Sequence, residues 1–375
     1  MDLTPEQQLA HDHVIDWYHR SRGRYALLTF GGLAGTGKTT TLGYISRTLS
    51  QRDNPARIAF VTFTGKASTV LAAKVRDFMG PEDYCGTIHG LMYTLVGKND
   101  QTRELYFEKN TNELPFDLII VDEASMVNKE ILNDLAEYGI PILAVGDHGQ
   151  LPPVKANFNL MDNPQIKLET IVRQAEGNPI IQMARAAREK GAIEYGDYGH
   201  GCIKTRNLDA LHAHPFEDIN SIMLCALNST RNKMNSFARQ KLGITDELPQ
   251  PGEPLICLLN NRKKMIFNGS IGILKELQIR DDETANITLT LDDRELYLWT
   301  DLAQFGKKYL ESKDIDGLSY FDWAYMITTW KSQGSEWKNV LLVEEYLPNM
   351  TDDIRRRFLY TACTRAKERL VIFKR

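Results

Sequence analysis

The sequence predicts an α/β protein built on parallel β-sheets, with two such halves along its 375 residues. Short apolar runs alternate with helical stretches from residue 25 to about 175, which is typical of parallel βαβ units. These runs are 25–30, 57–63, 117–121 and 141–146. The same pattern returns in a second half, with apolar runs at 221–227, 339–343 and 370–373.

A phosphate-binding loop follows the first apolar run. Residues 32–39 read GLAGTGKT, which is a glycine-rich turn between a buried strand and a helix. Glycines let backbone N–H groups approach phosphate oxygens, and the helix directs its positive end at the anion. Lys38 can reach the β- and γ-phosphates. The residues predicted to contact the nucleotide here are Gly35, Thr36, Gly37, Lys38, Thr39 and Thr40.

Two carboxylates follow a later apolar run. Leu118–Val121 predicts a short buried strand, and Asp122 and Glu123 come directly after it. Asp122 is placed to hold Mg²⁺ together with the hydroxyl of Thr39, and Glu123 to activate an attacking water. An isolated Asp-Glu pair is usually a solvated turn, but behind a strand and downstream of a phosphate loop it indicates nucleotide hydrolysis.

The run at 141–146 ends at Asp147 and is followed by Gln150. A neutral amide at the end of a third strand can contact both the γ-phosphate and the attacking water. We therefore predict that Gln150 senses the state of the nucleotide.

Nine segments in this order resemble the superfamily 1 helicases, and within them the RecD-like, 5′→3′ branch that includes the phage helicase Dda. They are LTPEQQ (3–8), GLAGTGKTT (32–40), VTFTGKAS (61–68), GTIHG (86–90), VDEAS (121–125), VGDHGQLPPV (145–154), IVRQ (171–174), TTWKSQGSE (328–336) and LYTACTRAKE (359–368). The polarity is implied by the resemblance alone.

The resemblance implies two RecA-like P-loop domains, at 1–175 and 176–375. A β-hairpin would be inserted in the first domain at about 90–113, with Leu91–Val96 and Leu105–Phe107 as its strands. It would act as a pin that splits the duplex, or it is a plain surface hairpin. Short apolar runs between 253 and 322 predict a small inserted β-barrel, similar to the SH3-like module of the branch.

The resemblance also assigns roles to residues outside the three strand ends. Arg173 and Arg365 match arginines that stabilise charge on the γ-phosphoryl group, and Gln7 matches the glutamine that reads adenine, so that ATP is expected. Gln333, Gly334 and Glu336 match a segment near the nucleotide and the DNA backbone. The expected DNA contacts are Thr64, Lys66, Thr87, His89, Asn228 and Trp330.

Two of these DNA contacts have a second interpretation. Trp330 stands where the family usually has histidine, so a stacking ring would replace an imidazole. His89 is either a DNA contact or a core histidine.

Composition sets limits on partners and compartment. The net charge of −4 means that DNA contact must come from local patches. One candidate is 354–375, which contains eight Lys or Arg and one acid and is either a DNA-binding patch or a solvated face. The five cysteines lack metal or disulfide spacing. No run approaches a transmembrane span and residues 1–20 lack the apolar core of a signal peptide, so we expect a cytoplasmic protein without membrane contact.

The sequence therefore predicts a monomeric ATP-dependent DNA helicase that uses Mg²⁺ and acts on single-stranded DNA and forks. Single-strand binding protein and replication or recombination proteins are expected partners. Three alternatives stay open. A DNA-stimulated translocase that displaces proteins would share every motif but would not need the hairpin. A nucleotide kinase would need no Asp122–Glu123 pair. A non-enzymatic single-strand binding protein would not turn over ATP.

Overall fold

The computed structural model describes most of the chain. The described residues are 3–51, 55–63, 65–98, 105–111, 113–152, 158–172, 177–259, 261, 264, 266, 268–291, 294–311, 317–345 and 350–374. They divide into two compact units, Met1–Thr94 with Lys109–Arg188, and Leu95–Glu108 with Glu189–Arg375. The sequence prediction divided the chain after residue 175. Within the described ranges, no helix is both long and apolar enough to cross a membrane.

A six-stranded parallel sheet organises the first unit. Its spatial order is β3-β2-β6-β7-β1-β8, and all five pairings are parallel. The strands are β1 Leu27–Gly32, β2 Ile58–Thr62, β3 Tyr84–Thr87, β6 Leu118–Val121, β7 Ile142–Gly146 and β8 Ile166–Leu168. The strand predictions at 25–30, 57–63, 117–121 and 141–146 are confirmed, with ends that differ by one or two residues.

Helices cover both faces of this sheet, because alternate residues of each strand point to opposite sides. Phe30 and Phe60 belong to one buried apolar cluster, and Val61 and Ile119 to another. The helices that contribute to these clusters are α1 Pro5–Ser21, α2 Lys38–Ser50, α3 Gly65–Val75, α4 Ile88–Met92 and α5 Lys129–Ala136. A further helix, α6 Pro179–Lys190, follows β8 in the chain.

A two-stranded sheet lies between α4 and β6. Its strands are β4 Tyr93–Lys98 and β5 Leu105–Lys109, which pair with each other in the region where the inserted hairpin is predicted. The prediction that the first strand begins at Leu91 is wrong. Leu91 and Met92 belong to α4, because the Thr87 hydroxyl caps this short helix by accepting from the backbone N–H of Gly90 at 2.9 Å.

The second unit contains a sheet of order β18-β11-β19-β20-β10-β9, parallel except for the β10–β9 pair. Its strands are β9 Gly196–Asp197, β10 Ile203–Thr205, β11 Ser221–Cys225, β18 Met326–Thr328, β19 Trp337–Val343 and β20 Ala366–Phe373. The helices of this unit are α7 Asp209–His212, α8 Asn228–Lys241 and α9 Asp352–Cys363. The predicted second α/β half is thus present.

A six-stranded, largely antiparallel sheet is inserted between α8 and β18. Its order is β16-β15-β14-β13-β12-β17. The strands are β12 Pro254–Cys257, β13 Ile271–Ile279, β14 Thr284–Leu291, β15 Arg294–Asp301, β16 Leu318–Ser319 and β17 Phe321–Trp323. We call this sheet, residues 254–323, the β-module. It occupies the region in which the short apolar runs predict an inserted β-barrel.

One face of α8 joins the β-module to the second parallel sheet. Arg231, Asn235 and Arg239 recur every four residues and therefore lie on that face. The amide of Asn235 donates to the carbonyl of Trp323 at 3.0 Å and accepts from the backbone N–H of Met326 at 2.7 Å. These bonds fix the polypeptide where it leaves the module and enters β18.

Candidate active site

The glycine-rich loop connects β1 to α2 as predicted. Gly35 and Gly37 have φ of +79° and +80°, a conformation that non-glycine residues rarely adopt. The ammonium group of Lys38 donates to the carbonyl oxygens of Gly32 at 2.6 Å and Leu33 at 3.1 Å. It therefore lies over the loop, at the N-terminal end of α2, where an anion is favoured.

Gln7 of α1 packs against this loop. Its amide nitrogen donates to the carbonyl of Thr36 at 2.9 Å, and its amide oxygen accepts from the backbone N–H of Thr4 at 2.9 Å. The Thr4 hydroxyl accepts from Gln7 N in return, so the two residues form a capping box that fixes the side chain. A Cβ at Gly37 would come within 2.3 Å of the Gln7 amide, which explains the glycine at this position.

Asp122 and Glu123 follow β6, as predicted. The backbone N–H of Asp122 donates to the carbonyl of Val61 at 2.8 Å and continues the pairing with β2. Glu123 has a φ of +53°, which is uncommon for a residue with a side chain. Such backbone strain concentrates at functional sites, where the surrounding structure holds it in place.

Asp147 closes the turn after β7. Its carboxylate accepts from the backbone N–H of Gly149 at 2.9 Å, and its carbonyl accepts from Gln150 N at 3.3 Å. Gln150 is buried at this turn. Strands β6, β7 and β1 are neighbours, so the residues after them share the carboxyl edge of one sheet, where ligands of α/β proteins bind.

Sequence reasoning missed His148. A Cβ at Gly31 would meet its Nδ1 at 2.8 Å, so the ring lies against the end of β1. Its Nε2 lies 3.6 Å from the carboxylate of Glu169. Burial lowers the pKa of His148 and the Lys38 ammonium lowers it further, while Asp147 and Glu169 oppose the shift. The signal available in the sequence was its position one residue after a strand-ending aspartate.

The polypeptide after β8 also contacts the phosphate loop. The carbonyl of Leu168 accepts from Leu33 N at 3.1 Å, and Val172 N donates to the carbonyl of Gly35 at 3.0 Å. Arg173 is the next residue in the sequence and lies outside the described residues. Its assignment as a catalytic arginine stays a prediction.

The Mg²⁺ ligands predicted from the sequence are of the right chemical type. Magnesium is bound through one or two carboxylates, hydroxyl groups, water and the phosphates of the nucleotide. Thr39 lies in the first turn of α2 and Asp122 lies at the end of β6, and both side chains are half-buried. Among the described residues, no group of three or more His, Cys, Asp or Glu side chains forms a separate metal site.

In the second unit, Arg365 lies between α9 and β20 and is 1% exposed. Its guanidinium donates to the carbonyls of Thr361 at 3.2 Å and Ser335 at 3.1 Å, and to the hydroxyl of Thr364 at 3.1 Å. All of these partners are neutral oxygens. Because arginine remains charged in proteins, the group keeps a positive charge that an anion could neutralise.

The second unit also holds the other residues predicted to contact nucleotide or DNA. Trp330, in the turn Thr329–Ser332, packs its ring 5.4 Å from that of Phe358 in α9. Gly334 has a φ of +74°, and Glu336 forms an ion pair with Lys367 at 3.2 Å. Gln333 is buried. Asn228 is the first residue of α8.

The predicted DNA contacts of the first unit are described only in part. Thr64 lies outside the described residues, as does the side chain of Lys66. His89 is buried, and its ring stacks with Tyr93 and meets Phe63 edge-on, each at a centroid distance of 6.0 Å. Thr87 uses its hydroxyl as a helix cap.

Comparison with known proteins agrees with this geometry. A family model described as an AAA domain matches residues 20–156, and one described as a UvrD-like helicase C-terminal domain matches residues 323–373. The chain is 26% identical to the ATP-dependent RecD2 DNA helicase of Deinococcus radiodurans, over 92% of this chain and 46% of that protein. It is 24% identical to the RecBCD enzyme subunit RecD of Buchnera aphidicola, over 91% of this chain and 69% of that protein.

These matches confirm the resemblance to the RecD-like superfamily 1 helicases. The RecD-like chain spans about half the length of the RecD2 protein that it matches. Among solved structures, Pif1 helicases at forked double-stranded DNA match with a TM-score of 0.51 and 21% identity, covering 99% of this chain and 92% of that one. The chain thus has an α/β fold with a parallel-sheet RecA-like core similar to that of Pif1.

Proposed function

We propose that this chain is an ATP-dependent DNA helicase that translocates on single-stranded DNA from 5′ to 3′ and unwinds duplex DNA. One observation carries the proposal. Lys38, the Asp122–Glu123 pair and Gln150 follow β1, β6 and β7, which are neighbours in one parallel sheet. This is the arrangement needed to hold a triphosphate, bind its metal ion and activate water in one place.

ATP and Mg²⁺ are the proposed ligands of this edge. Gln7, fixed against the loop by its bond to the Thr36 carbonyl, would read the adenine base. Thr39 and Asp122 would hold Mg²⁺, which neutralises phosphate charge when it is bound. Glu123 would orient and deprotonate water, and Gln150 would respond to the γ-phosphate. Arg173 and Arg365 would stabilise the charge of the transferring phosphoryl group.

Single-stranded DNA is the proposed substrate, along which the protein would translocate. A solved structure of the Pif1 helicase from Bacteroides, which matches this chain with a TM-score of 0.50, is a complex with ADP-AlF₃ and single-stranded DNA. Short polar groups at strand and helix ends can bind phosphates without reading bases. The proposed contacts are Thr64, Lys66, Thr87, His89, Asn228 and Trp330, and Gln333, Gly334 and Glu336 would respond to both nucleotide and DNA.

Two inserted elements would serve strand separation. We assign β4–β5 as the wedge at the fork and the β-module as the SH3-like module of the RecD branch. RecD proteins are named as subunits of the RecBCD enzyme. We also propose that this chain has partners among recombination or replication proteins, including single-strand binding protein. The proposal further includes a monomeric state and a motor that is divided into two domains.

The deciding experiment compares two partial duplexes that differ only in the polarity of their single-stranded tail. With ATP and Mg²⁺, the 5′-tailed duplex should be unwound and the 3′-tailed duplex should not, and Lys38→Ala should unwind neither. Unwinding of only the 3′-tailed substrate would contradict the polarity.

A DNA-stimulated translocase that displaces proteins without unwinding is the second candidate. DNA-dependent ATP hydrolysis that displaces a bound protein, but leaves both duplexes intact, would favour it. Phosphate transfer to an acceptor nucleotide would instead indicate a kinase. DNA binding without ATP turnover would indicate a single-strand binding protein.

A further inference from the structure

Glu6 makes a contact that none of the sequence motifs explains. Its two carboxylate oxygens accept hydrogen bonds from consecutive backbone N–H groups, Oε1 from Glu169 at 3.0 Å and Oε2 from Thr170 at 3.0 Å. The donors are more than 160 positions away in the sequence. Hydrogen bonds to an ionised acceptor are stronger than neutral ones, so this pair fixes the polypeptide at 169–170 firmly to α1.

The polypeptide that Glu6 holds is itself bonded to the phosphate loop. On one side of the Glu6 contact, the Leu168 carbonyl accepts from Leu33 N, and on the other side, Val172 N donates to the Gly35 carbonyl. We call residues 168–172 the strap. The strap therefore fixes two peptide groups of the loop whose orientation sets the direction of neighbouring N–H groups.

Gln7, the next residue of α1, holds the same loop from another point. Its amide donates to the Thr36 carbonyl at 2.9 Å. The first turn of α1 thus grips the loop directly through Gln7 and indirectly through Glu6 and the strap. The loop segment between these points, Leu33–Gly37, carries the N–H groups that would surround the phosphates.

We propose that Glu6 is a positioning residue of the nucleotide site, which pre-organises the phosphate loop through the strap and so strengthens binding of the diphosphate part of any nucleotide. The inference rests on the proposed nucleotide-binding function. In the proposed function Gln7 would read the base as well as contact the loop, whereas Glu6 would act on the loop alone, through the strap. A loop that is already ordered loses less conformational entropy when the phosphates bind.

A simpler role for Glu6 is local. An acidic residue in the first turn of a helix interacts favourably with the helix dipole, and this would stabilise α1 without any effect on the nucleotide. The two roles make different predictions. Local stabilisation affects unfolding only, whereas pre-organisation changes the affinity for phosphates and does so equally for different bases.

The test measures the affinity of the purified full chain for fluorescent ADP and GDP in the presence of Mg²⁺. The variants are Glu6→Ala, Glu6→Gln, Gln7→Ala and Asp16→Ala, the last being an exposed carboxylate on the same helix. The thermal unfolding temperature is recorded without nucleotide. Because neither hydrolysis nor DNA is needed, a chain that binds ADP but fails to unwind DNA would disprove the helicase function and leave this test intact.

Glu6→Ala should weaken the binding of ADP and the binding of GDP by the same factor, about three- to tenfold, where tenfold corresponds to about 1.4 kcal/mol. Glu6→Gln should weaken the binding of both nucleotides less than Glu6→Ala does, because its amide oxygen can still accept one hydrogen bond. Gln7→Ala should reduce the preference for ADP over GDP, and Asp16→Ala should change neither affinity.

Two outcomes would overturn the proposal. The first is that Glu6→Ala lowers the unfolding temperature but leaves the affinities for ADP and GDP unchanged. The second is that Glu6→Ala weakens the affinity for ADP but not that for GDP. If Glu6→Ala does not fold, Glu6→Gln carries the same comparison, and affinities equal to those of the wild type would then reject the role.

Discussion

The backbone N–H of Glu123 donates a 3.0 Å hydrogen bond to the carboxylate of Asp122, the residue before it. This contact accompanies the left-handed backbone of Glu123. It ties the carboxylate of Asp122 to the turn. In the proposed function, Asp122 would hold the metal ion and Glu123 would activate water.

The first prediction concerns hydrolysis. Glu123→Gln should keep nucleotide affinity within about threefold but lower the DNA-stimulated ATPase rate by about 10²- to 10⁴-fold, because an amide cannot accept a proton from water. Lys38→Ala should abolish turnover as well and should also weaken ATP binding. Steady-state ATPase assays with single-stranded DNA check both. Turnover by Glu123→Gln near the wild-type rate would remove Glu123 from the role of base.

The second prediction concerns Arg365. Arg365→Ala should lower kcat by about 10³-fold or more while ATP affinity changes little, because an arginine finger meets charge that develops in the transition state. Arg173→Ala should behave similarly. Arg365 is buried, so circular dichroism and the unfolding temperature must show that the variant folds. A variant that folds and loses affinity alone would argue against the finger role.

Much of the fold could be predicted because the central strands are continuous apolar runs. The Ile58–Thr62 strand is buried throughout, and a buried strand has that simple signature. Strands of two or three residues, such as β8 and β16, are too short to give a periodic pattern. Leu91 and Met92 were assigned to a strand from their apolar character, whereas the capping hydroxyl of Thr87 places them in a helix.

The site could be predicted as far as local motifs extend. Lys38, Asp122 and Gln150 each follow a strand in a recognisable context. The hydrogen bond that Thr170 N donates to Glu6, like the approach of His148 to Gly31, depends on tertiary packing between distant segments. The charge and hydrophobic pattern of the sequence do not predict such a contact, so these residues could be identified only from the structure.

The third prediction concerns the buried ion pair between Arg239 of α8 and Glu253. Arg239 Nε lies 2.8 Å from Glu253 Oε1, both side chains are at most 9% exposed, and Glu253 also accepts from Gln250 N at 2.6 Å. Glu253→Ala should lower the free energy of unfolding by about 3–5 kcal/mol, because it leaves a buried charge without its partner. Urea unfolding measures this.

The matched control is an exposed pair on a helix. Arg357 and Asp353 are 3.0 Å apart in α9, with Asp353 70% exposed. Asp353→Ala should lower the free energy of unfolding by less than about 1 kcal/mol, because water already screens that pair. Equal costs for Glu253→Ala and Asp353→Ala would mean that the contact between α8 and Glu253 contributes no more than a surface ion pair.

The fourth prediction concerns acid stability. Burial lowers the pKa of His214 from its usual 6.5 to about 4, the charge of Arg369 adds to the shift, and Asp218 opposes it. Between pH 6.5 and 4 the unfolded chain therefore binds more protons than the folded chain. The free energy of unfolding should fall as the pH is lowered through this window, by up to about 3 kcal/mol at 1.36 kcal/mol per pKa unit.

Unfolding curves at several pH values test this sign. His214→Gln should have a shallower dependence between pH 6.5 and 4 than the wild type, even if it is less stable overall. His13→Gln, at an exposed position of α1, should keep the wild-type slope. An unchanged slope in His214→Gln would show that other groups cause the acid sensitivity.

The last prediction concerns the hairpin and its base. Lys109 Nζ lies 2.7 Å from the Glu137 carboxylate and 3.4 Å from that of Asp134, and the Tyr138 hydroxyl donates to the Asn110 carbonyl at 2.7 Å. Asn110 N in turn donates to the Met92 carbonyl at 2.7 Å, which closes the base. These contacts fasten Lys109, the last residue of β5, and Asn110 after it to α5 and the residues that follow α5.

Replacing residues 94–108 with a short glycine-serine turn should leave DNA-stimulated ATPase within about twofold of the wild type but should abolish fork unwinding. Translocation needs the motor and its backbone contacts, whereas separating each base pair costs about 1–2 kcal/mol and needs a fixed obstacle. The double variant Lys109→Met/Tyr138→Phe keeps the hairpin but loosens its base, so it should unwind fewer base pairs per ATP. Both rates are measured side by side on a 5′-tailed fork. If the shortened protein unwinds at the wild-type rate, the hairpin is a surface feature and the wedge lies in another part of the chain.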